Sequence, residues 1–121
     1  MPRLVLIVED SAACAETLQI ALEGIRDIEI RILPSPKAAM ALARTATVSA
    51  VITDRHLPHA DGFDFIRQLR ADPKFQSLPV LLISGDSDPR LPAEAIAVGA
   101  DAFFAKPYSP AAVRRKLEEL L

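Results

Sequence analysis

Residues 4–10 read Leu-Val-Leu-Ile-Val-Glu-Asp: five branched apolar side chains that stop abruptly at two acids. A strand half exposed to water alternates apolar with polar residues; an unbroken run suits a strand covered on both faces, as in a parallel sheet. The run is too short and too suddenly acidic for a secretory leader, and no apolar stretch approaches the roughly 18 residues of a membrane span. It reads as a buried strand that delivers Glu9 and Asp10 to its carboxyl end.

Four more runs of strand length lie downstream, at 28–33, 48–53, 78–83 and 102–105. Those at 48–53 and 78–83 are again largely apolar without alternation, whereas 28–33 alternates and predicts a sheet edge. Helical spacing fills the gaps. Cys14, Leu18, Ala21, Leu22 and Ile25 share one face, as do Ala39, Leu42, Ala43 and Ala46. Gly62, Phe65, Ile66 and Leu69 repeat the pattern, and Val113, Leu117, Leu120 and Leu121 close it. A shorter helix is expected at 93–98, and Ser109-Pro110 opens the last one, with proline suited to a first turn. Strand and helix alternate along all 121 residues, with most prolines between elements and no repeat or linker. The chain is therefore expected to be one α/β domain, 1–121, of five βα units: a doubly wound parallel sheet with right-handed crossovers and helices on both faces.

Composition narrows the function. Half of the residues are hydrophobic, enough for a real core. Fourteen Lys and Arg stand against 16 Asp and Glu, a net charge of −2, so the domain lacks the basic excess that grips a phosphate backbone. Direct binding of nucleic acid is not expected, nor is a membrane partner. Cys14 is the single cysteine, which excludes an internal disulfide and a thiolate zinc cage and suits a cytoplasmic protein. On its apolar helical stripe it reads as a small buried hydrophobe.

Asp54 repeats the placement of Glu9 and Asp10, because it too follows an apolar strand. In open parallel sheets ligands bind beyond the carboxyl ends of the strands, so these three carboxylates are expected to converge. Two like charges ~4 Å apart repel by about 1 kcal/mol in water and about 4 kcal/mol at an effective dielectric near 20. Either one acid keeps a proton or a divalent cation sits among them, and an all-oxygen set without histidine side chains suits Mg²⁺. Read alone, Glu9-Asp10 is more simply a helix cap, with Asp10 or Ser11 at the N-terminus of the next helix. Ser84 and Lys106 change the balance. Each closes a predicted strand, which places a hydroxyl and an ammonium on the edge that holds the acids. The combination fits acyl-phosphate chemistry.

With these residues in place, the chain resembles the receiver domain of two-component response regulators over its whole length. Asp10 and Asp54 are 44 positions apart, Asp54 and Ser84 are 30 apart, and Ser84 and Lys106 are 22 apart, as in that family. The stretches 54–62 and 99–107 resemble its loops after the third strand and around the fifth. The resemblance implies a CheY-like, flavodoxin-like sheet of order 2-1-3-4-5. It implies that Asp54 accepts a phosphoryl group from a histidine kinase or histidine phosphotransfer protein. Mg²⁺ is then held by Asp10, Asp54 and the backbone carbonyl of His56, with Glu9 acting through water. Lys106 and Ser84 bind phosphoryl oxygens, and a cis Lys106-Pro107 bond is expected. Ser84 and Phe103 become the switch, Phe103 being otherwise plain core packing. The output face becomes the fourth helix, fifth strand and fifth helix, directed at an effector protein, a linked output domain or a second copy. No enzymatic role is implied beyond self-catalysed phosphorylation and dephosphorylation.

Some residues depart from the common family pattern. Gly85 stands where alanine is frequent, and should leave the phosphoryl site more open and its loop more mobile. Arg55 and His56 are less usual after the acceptor, and His56 lies where it can affect water access. His59 reads as a solvated loop residue, and Phe103 replaces a frequent tyrosine. Three other readings compete. A receiver-like scaffold that works without phosphorylation is disfavoured by the intact set Glu9, Asp10, Asp54, Ser84 and Lys106. A Mg²⁺-dependent phosphatase with an aspartyl nucleophile usually keeps a second acid two residues on, where this chain has His56. A flavin carrier should have a phosphate loop rich in Ser, Thr and Gly where this chain has Glu9-Asp10.

Overall fold

The computed structural model describes residues 2–121. Its main sheet has five parallel strands: β1 (Arg3–Val8), β2 (Ile28–Leu33), β3 (Ala50–Asp54), β4 (Val80–Ser84) and β5 (Ala102–Ala105). Their order is β2-β1-β3-β4-β5, so the chain reverses direction across the sheet between β1 and β3. The helices α1 (Ala12–Ala21), α2 (Pro36–Thr45), α3 (Gly62–Ala71), α4 (Leu91–Val98) and α5 (Pro110–Leu120) alternate with the strands. The α/β reading and the edge position of β2 agree with this topology.

The continuous apolar run of β1 is explained by two cores. Val5 and Ile7 point to one face, where they meet Leu18, Leu22 and Ile25 after the first strand and Val113 and Leu117 of α5. Leu6 and Val8 point to the other, against Ala39 and Met40 of α2 and Phe65, Ile66 and Leu69 of α3. Val5, Leu6, Ile7 and Val8 are all fully buried, and each such side chain contributes roughly 1.5–3 kcal/mol through its removal from water.

Element ends differ from the sequence reading in a way that matters for the site. β3 starts at Ala50 rather than 48 and β4 at Val80 rather than 78, and each runs one residue further than expected. Pro79 has no N–H for the ladder, and Leu78 closes a turn by donating its N–H to Phe75 after a 3₁₀ turn at Pro73–Phe75. The shift brings Asp54 and Ser84 inside the last rungs of the sheet, where Asp54 pairs with Ile83 and Ser84 with Ala105. α1 ends at Ala21, short of the expected stripe, although Ile25 still packs into the core through a turn. α4 starts at Leu91, two residues early, with Pro92 in its first turn.

A small hairpin follows β3, pairing His56–Leu57 with Ala60–Asp61. Pro58 sits second in its turn and His59 third, at φ 58, a left-handed position that glycine or asparagine fills more cheaply. The hairpin returns the chain to Gly62, whose N–H donates to the Arg55 carbonyl at 2.6 Å. A Cβ at this position would lie 2.5 Å from the Asp54 carbonyl oxygen, so only glycine lets α3 start this close to the end of β3.

Candidate functional site at the carboxyl edge of the sheet

β1 and β3 are neighbours, so what leaves their carboxyl ends meets. Glu9 is 5% exposed and Asp54 6%, and both carboxyls face the Lys106 ammonium. Glu9 Oε1 also accepts from the Ser11 N–H at 3.1 Å, and Asp54 Oδ1 from the His56 N–H at 2.9 Å. Lys106, one residue past β5, brings its Nζ to 2.5 Å from Asp54 Oδ2 and 3.9 Å from Glu9 Oε2. The Lys106-Pro107 peptide is cis.

Two buried acids facing one ammonium cannot both be comfortable as anions. Burial, reinforced by the hydrogen bond with Asp54, pushes the Glu9 carboxyl from its ordinary 4.5 up to about 7. Burial pulls Asp54 the same way, but hydrogen bonds with Glu9, Lys106 and the His56 amide outweigh it and hold that carboxyl below its ordinary value. Burial lowers Lys106, and Asp54 more than restores it, so the amine is held above its usual range. Asp54 is thus the persistent anion of the site, and Glu9 is the acid that takes up a proton as the pH falls through about 7.

Of the three acids expected to converge, the structure brings two together. Asp10 is exposed, and among the described residues no group of three His, Cys, Asp or Glu side chains is arranged to hold a metal. Ser11, not Asp10, caps α1, through a hydrogen bond from the Cys14 N–H. The donor chemistry still fits a hard divalent cation: two side chains, Asp10 and Asp54, and the His56 carbonyl are all oxygen donors, and Lys106 alone leaves the buried acids undercompensated.

Ser84 closes β4 beside β3 and is fully buried. Its Oγ accepts from the Asp86 N–H at 3.1 Å. Gly85 has open space around it, so nothing steric demands glycine there. Phe103 is half-buried against the core beneath α2, α3 and α4, while Phe104 turns to the α1 and α5 side. Cys14 corrects an expectation: it is half-buried rather than core, with Sγ 3.6 Å from Lys106 Nζ, and it lines a cavity with Leu18, Pro107 and Tyr108. His59 lies in the exposed hairpin turn, as a loop reading requires.

A second cluster escaped the sequence reading. Asp86 Oδ2 takes His56 Nε2 at 2.5 Å and Arg55 Nη1 at 3.0 Å, tying the loop after β4 to the loop after β3. The Arg55 guanidinium also lies 4.5 Å over the Phe63 ring, and Asp61 caps α3 by accepting from the Phe63 N–H. A signal was available: His56 and Asp86 each stand two residues past the end of adjacent strands, at Asp54 and Ser84.

Comparison with known proteins agrees with this geometry. Residues 5–118 match the model of the response regulator receiver domain. The chain is 30% identical to response regulator Rre1 of Synechocystis, over 99% of this chain and 52% of that protein. It is 26% identical to chemotaxis protein CheY1 of Helicobacter pylori strain J99, over 96% of this chain and 94% of that protein. The high-resolution structure of chemotaxis response regulator CheY4 of Vibrio cholerae superposes with a TM-score of 0.86 at 26% identity, covering all of both chains. The chain spans about half the length of Rre1. A doubly wound sheet of this order, with Asp54 and Lys106 paired at its carboxyl edge and a family match across nearly every element, shows that the chain belongs to the receiver domains of two-component response regulators.

Proposed function

We propose that Asp54 is the phosphoacceptor of this receiver, in a single domain spanning 1–121. The observation that carries this reading is the setting of its carboxylate: buried, paired with Lys106 Nζ at 2.5 Å, and placed at the strand end where ligands bind in such sheets. An Asp54 oxygen forms the new O–P bond as the P–N bond of a phosphohistidine breaks. The electron pair leaves with the imidazole nitrogen, which takes a proton from water. The donor is a histidine kinase or phosphotransfer protein, the partner class of receiver domains. Lys106 and Ser84 receive phosphoryl oxygens, Lys106 by releasing part of its present hold on Asp54, and Ser84 by leaving the Asp86 amide.

Asp10, Asp54 and the His56 carbonyl would hold Mg²⁺, with Glu9 in its outer sphere. When bound, the cation supplies positive charge between nucleophile and incoming phosphoryl, which is most of what phosphoryl transfer asks of a protein. The added charge on Asp54, about −1.5 to −2, draws Ser84 inward and lets Phe103 repack, which alters the face of α4, β5 and α5 presented to an effector protein or linked domain. Among the described residues no helix is long and apolar enough to cross a membrane. We read the domain as cytoplasmic, and as a signalling acceptor rather than a turnover enzyme.

A small acyl-phosphate donor tests the assignment. Labelling should require Mg²⁺ and vanish in Asp54→Ala, detected as a mass increase of one phosphoryl group. Full labelling of Asp54→Ala would remove Asp54 from its role.

A further inference from the structure

The free edge of β2 offers a surface of a different kind. β2 lies outermost, and its residues read Ile28-Glu29-Ile30-Arg31-Ile32-Leu33. Asp27 and Leu33 aim their carbonyls at the N–H groups of Arg3 and Glu9, on the β1 side. By the two-residue period of a strand, Glu29 and Arg31 aim that way too, so Ile28, Ile30 and Ile32 present their N–H and C=O groups to the open edge. Glu29 and Arg31 are exposed, and among the described residues neither is held in an ion pair. Ile32 is 41% exposed.

An open edge with apolar residues is a hazard that folded proteins commonly block with charge. A guard of one sign repels every copy of the chain. Here the signs are opposite and equidistant from Ile30, so the strand is complementary to itself when reversed. The geometry points to a dimer in which β2 pairs antiparallel with β2 of a second copy, about a two-fold axis at Ile30. Ile30 then faces Ile30, Ile28 faces Ile32, and Glu29 faces Arg31 twice. The isoleucine positions form the hydrogen-bonded pairs, because their backbone groups point outward. The Glu–Arg positions become non-hydrogen-bonded pairs, where side chains approach most closely. The two sheets join into one with closed two-fold symmetry.

The surroundings favour the strand edge over the neighbouring helix. α1 leaves Ile20 57% exposed in a groove shared with Ile28 and Ile30, which a second copy against β2 adds cover to. That groove is rimmed by Glu16 and Glu23, whose like charges oppose docking through the helices alone. This inference does not depend on the phosphoacceptor assignment.

Charge exchange tests it. Sedimentation of the full chain over a concentration series reaching the millimolar range should show a monomer–dimer equilibrium. Glu29→Arg or Arg31→Glu sets like charges opposite each other twice and should raise the dissociation constant about tenfold or more. Mixing those two variants should restore association as a heterodimer, because every facing pair is then opposite in sign, and the double exchange in one chain should restore the homodimer. Ile32→Lys, at an exposed position, should also give a monomer while its circular dichroism stays that of the parent. Amide exchange at Ile28, Ile30 and Ile32 should slow with concentration. A parent that stays monomeric, a dimer indifferent to single charge exchange, or a mixture that fails to associate would each overturn the proposal.

Discussion

Asp54 has two flanks that are built on opposite principles. On one, the buried Glu9 carboxyl and the partly buried Lys106 ammonium press against a buried Asp54 carboxyl, so the charges meet through little water. On the other, Arg55, His56 and Asp86 meet in a cluster whose His56 side chain is 62% exposed. Ion pairs of the first sort perturb pKa values and stability, whereas exposed pairs contribute little to stability and act chiefly by fixing where a loop lies. The difference separates the chemistry of the acceptor from the positioning of the loop that must respond to it.

Removing Lys106 should give the largest effect. Stripping one partner from a fully buried pair costs roughly 3–5 kcal/mol. The Lys106 side chain is 30% exposed, so screening brings the expected loss for Lys106→Met to about 2 kcal/mol in metal-free protein at neutral pH, read from urea unfolding. The same variant should still accept phosphate slowly from a small donor but fail to alter the α4, β5 and α5 face. A midpoint equal to that of the parent would mean the amine is solvated and the flank is not buried in effect.

Glu9 should act with the opposite sign. Its folded pKa is raised, so the stability due to its proton is complete below the unfolded value near 4.5 and is lost as the pH rises through about 7. Glu9→Gln imitates the protonated form, and should stabilise metal-free protein by roughly 1 kcal/mol at pH 8 while leaving it unchanged at pH 4. Saturating Mg²⁺ should narrow the gap, because a cation relieves the same excess of negative charge. An equal difference at both pH values would place the effect in packing.

The exposed flank should yield smaller changes. His59 holds φ 58 without being glycine, so His59→Gly should relieve strain in the hairpin turn and raise stability by about 0.5–1 kcal/mol in a thermal melt. A loss would show that the imidazole contributes a contact outweighing that strain.

What the sequence revealed follows the same division. Leu4 to Val8 announces a buried strand because covering both faces leaves no position for a polar residue, and Asp54, Ser84 and Lys106 are legible as the first polar groups past such runs. The ends of β3 and β4 were displaced because Val48 and Leu78 are apolar enough for strands, while Pro79 and the turn at Pro73–Phe75 decide where pairing begins. A position just past the end of β1 points both Glu9 and Asp10 to the acidic cluster, yet neighbours at a strand end point in opposite directions, and only Glu9 is buried. Helical period points Cys14 at the core because it identifies a stripe but not its rim, and at the rim the partner is Lys106. The Asp86 cluster was hidden because its members lie about 30 residues apart and become neighbours only through the β3–β4 pairing.

Asp86 provides the finest test of the contrast between flanks. His56 first, then Ser84 and Arg55, hold its carboxyl below the ordinary range, but the side chain is partly open to solvent, so little of that shift translates into global stability. Asp86→Asn should therefore leave the thermal midpoint unmoved. Its effect should be local: the link from Asp86 to His56 and Arg55 weakens, the loop after β4 loosens, and the hydrogen bond from the Asp86 amide to Ser84 Oγ opens more often. Amide exchange at Gly85 and Asp86 should quicken while exchange in β3 and β4 stays as in the parent. If the cluster instead stabilised the whole sheet, Asp86→Asn would speed exchange throughout β4, and the division between a chemical flank and a positioning flank would fail at the residue that joins the two loops.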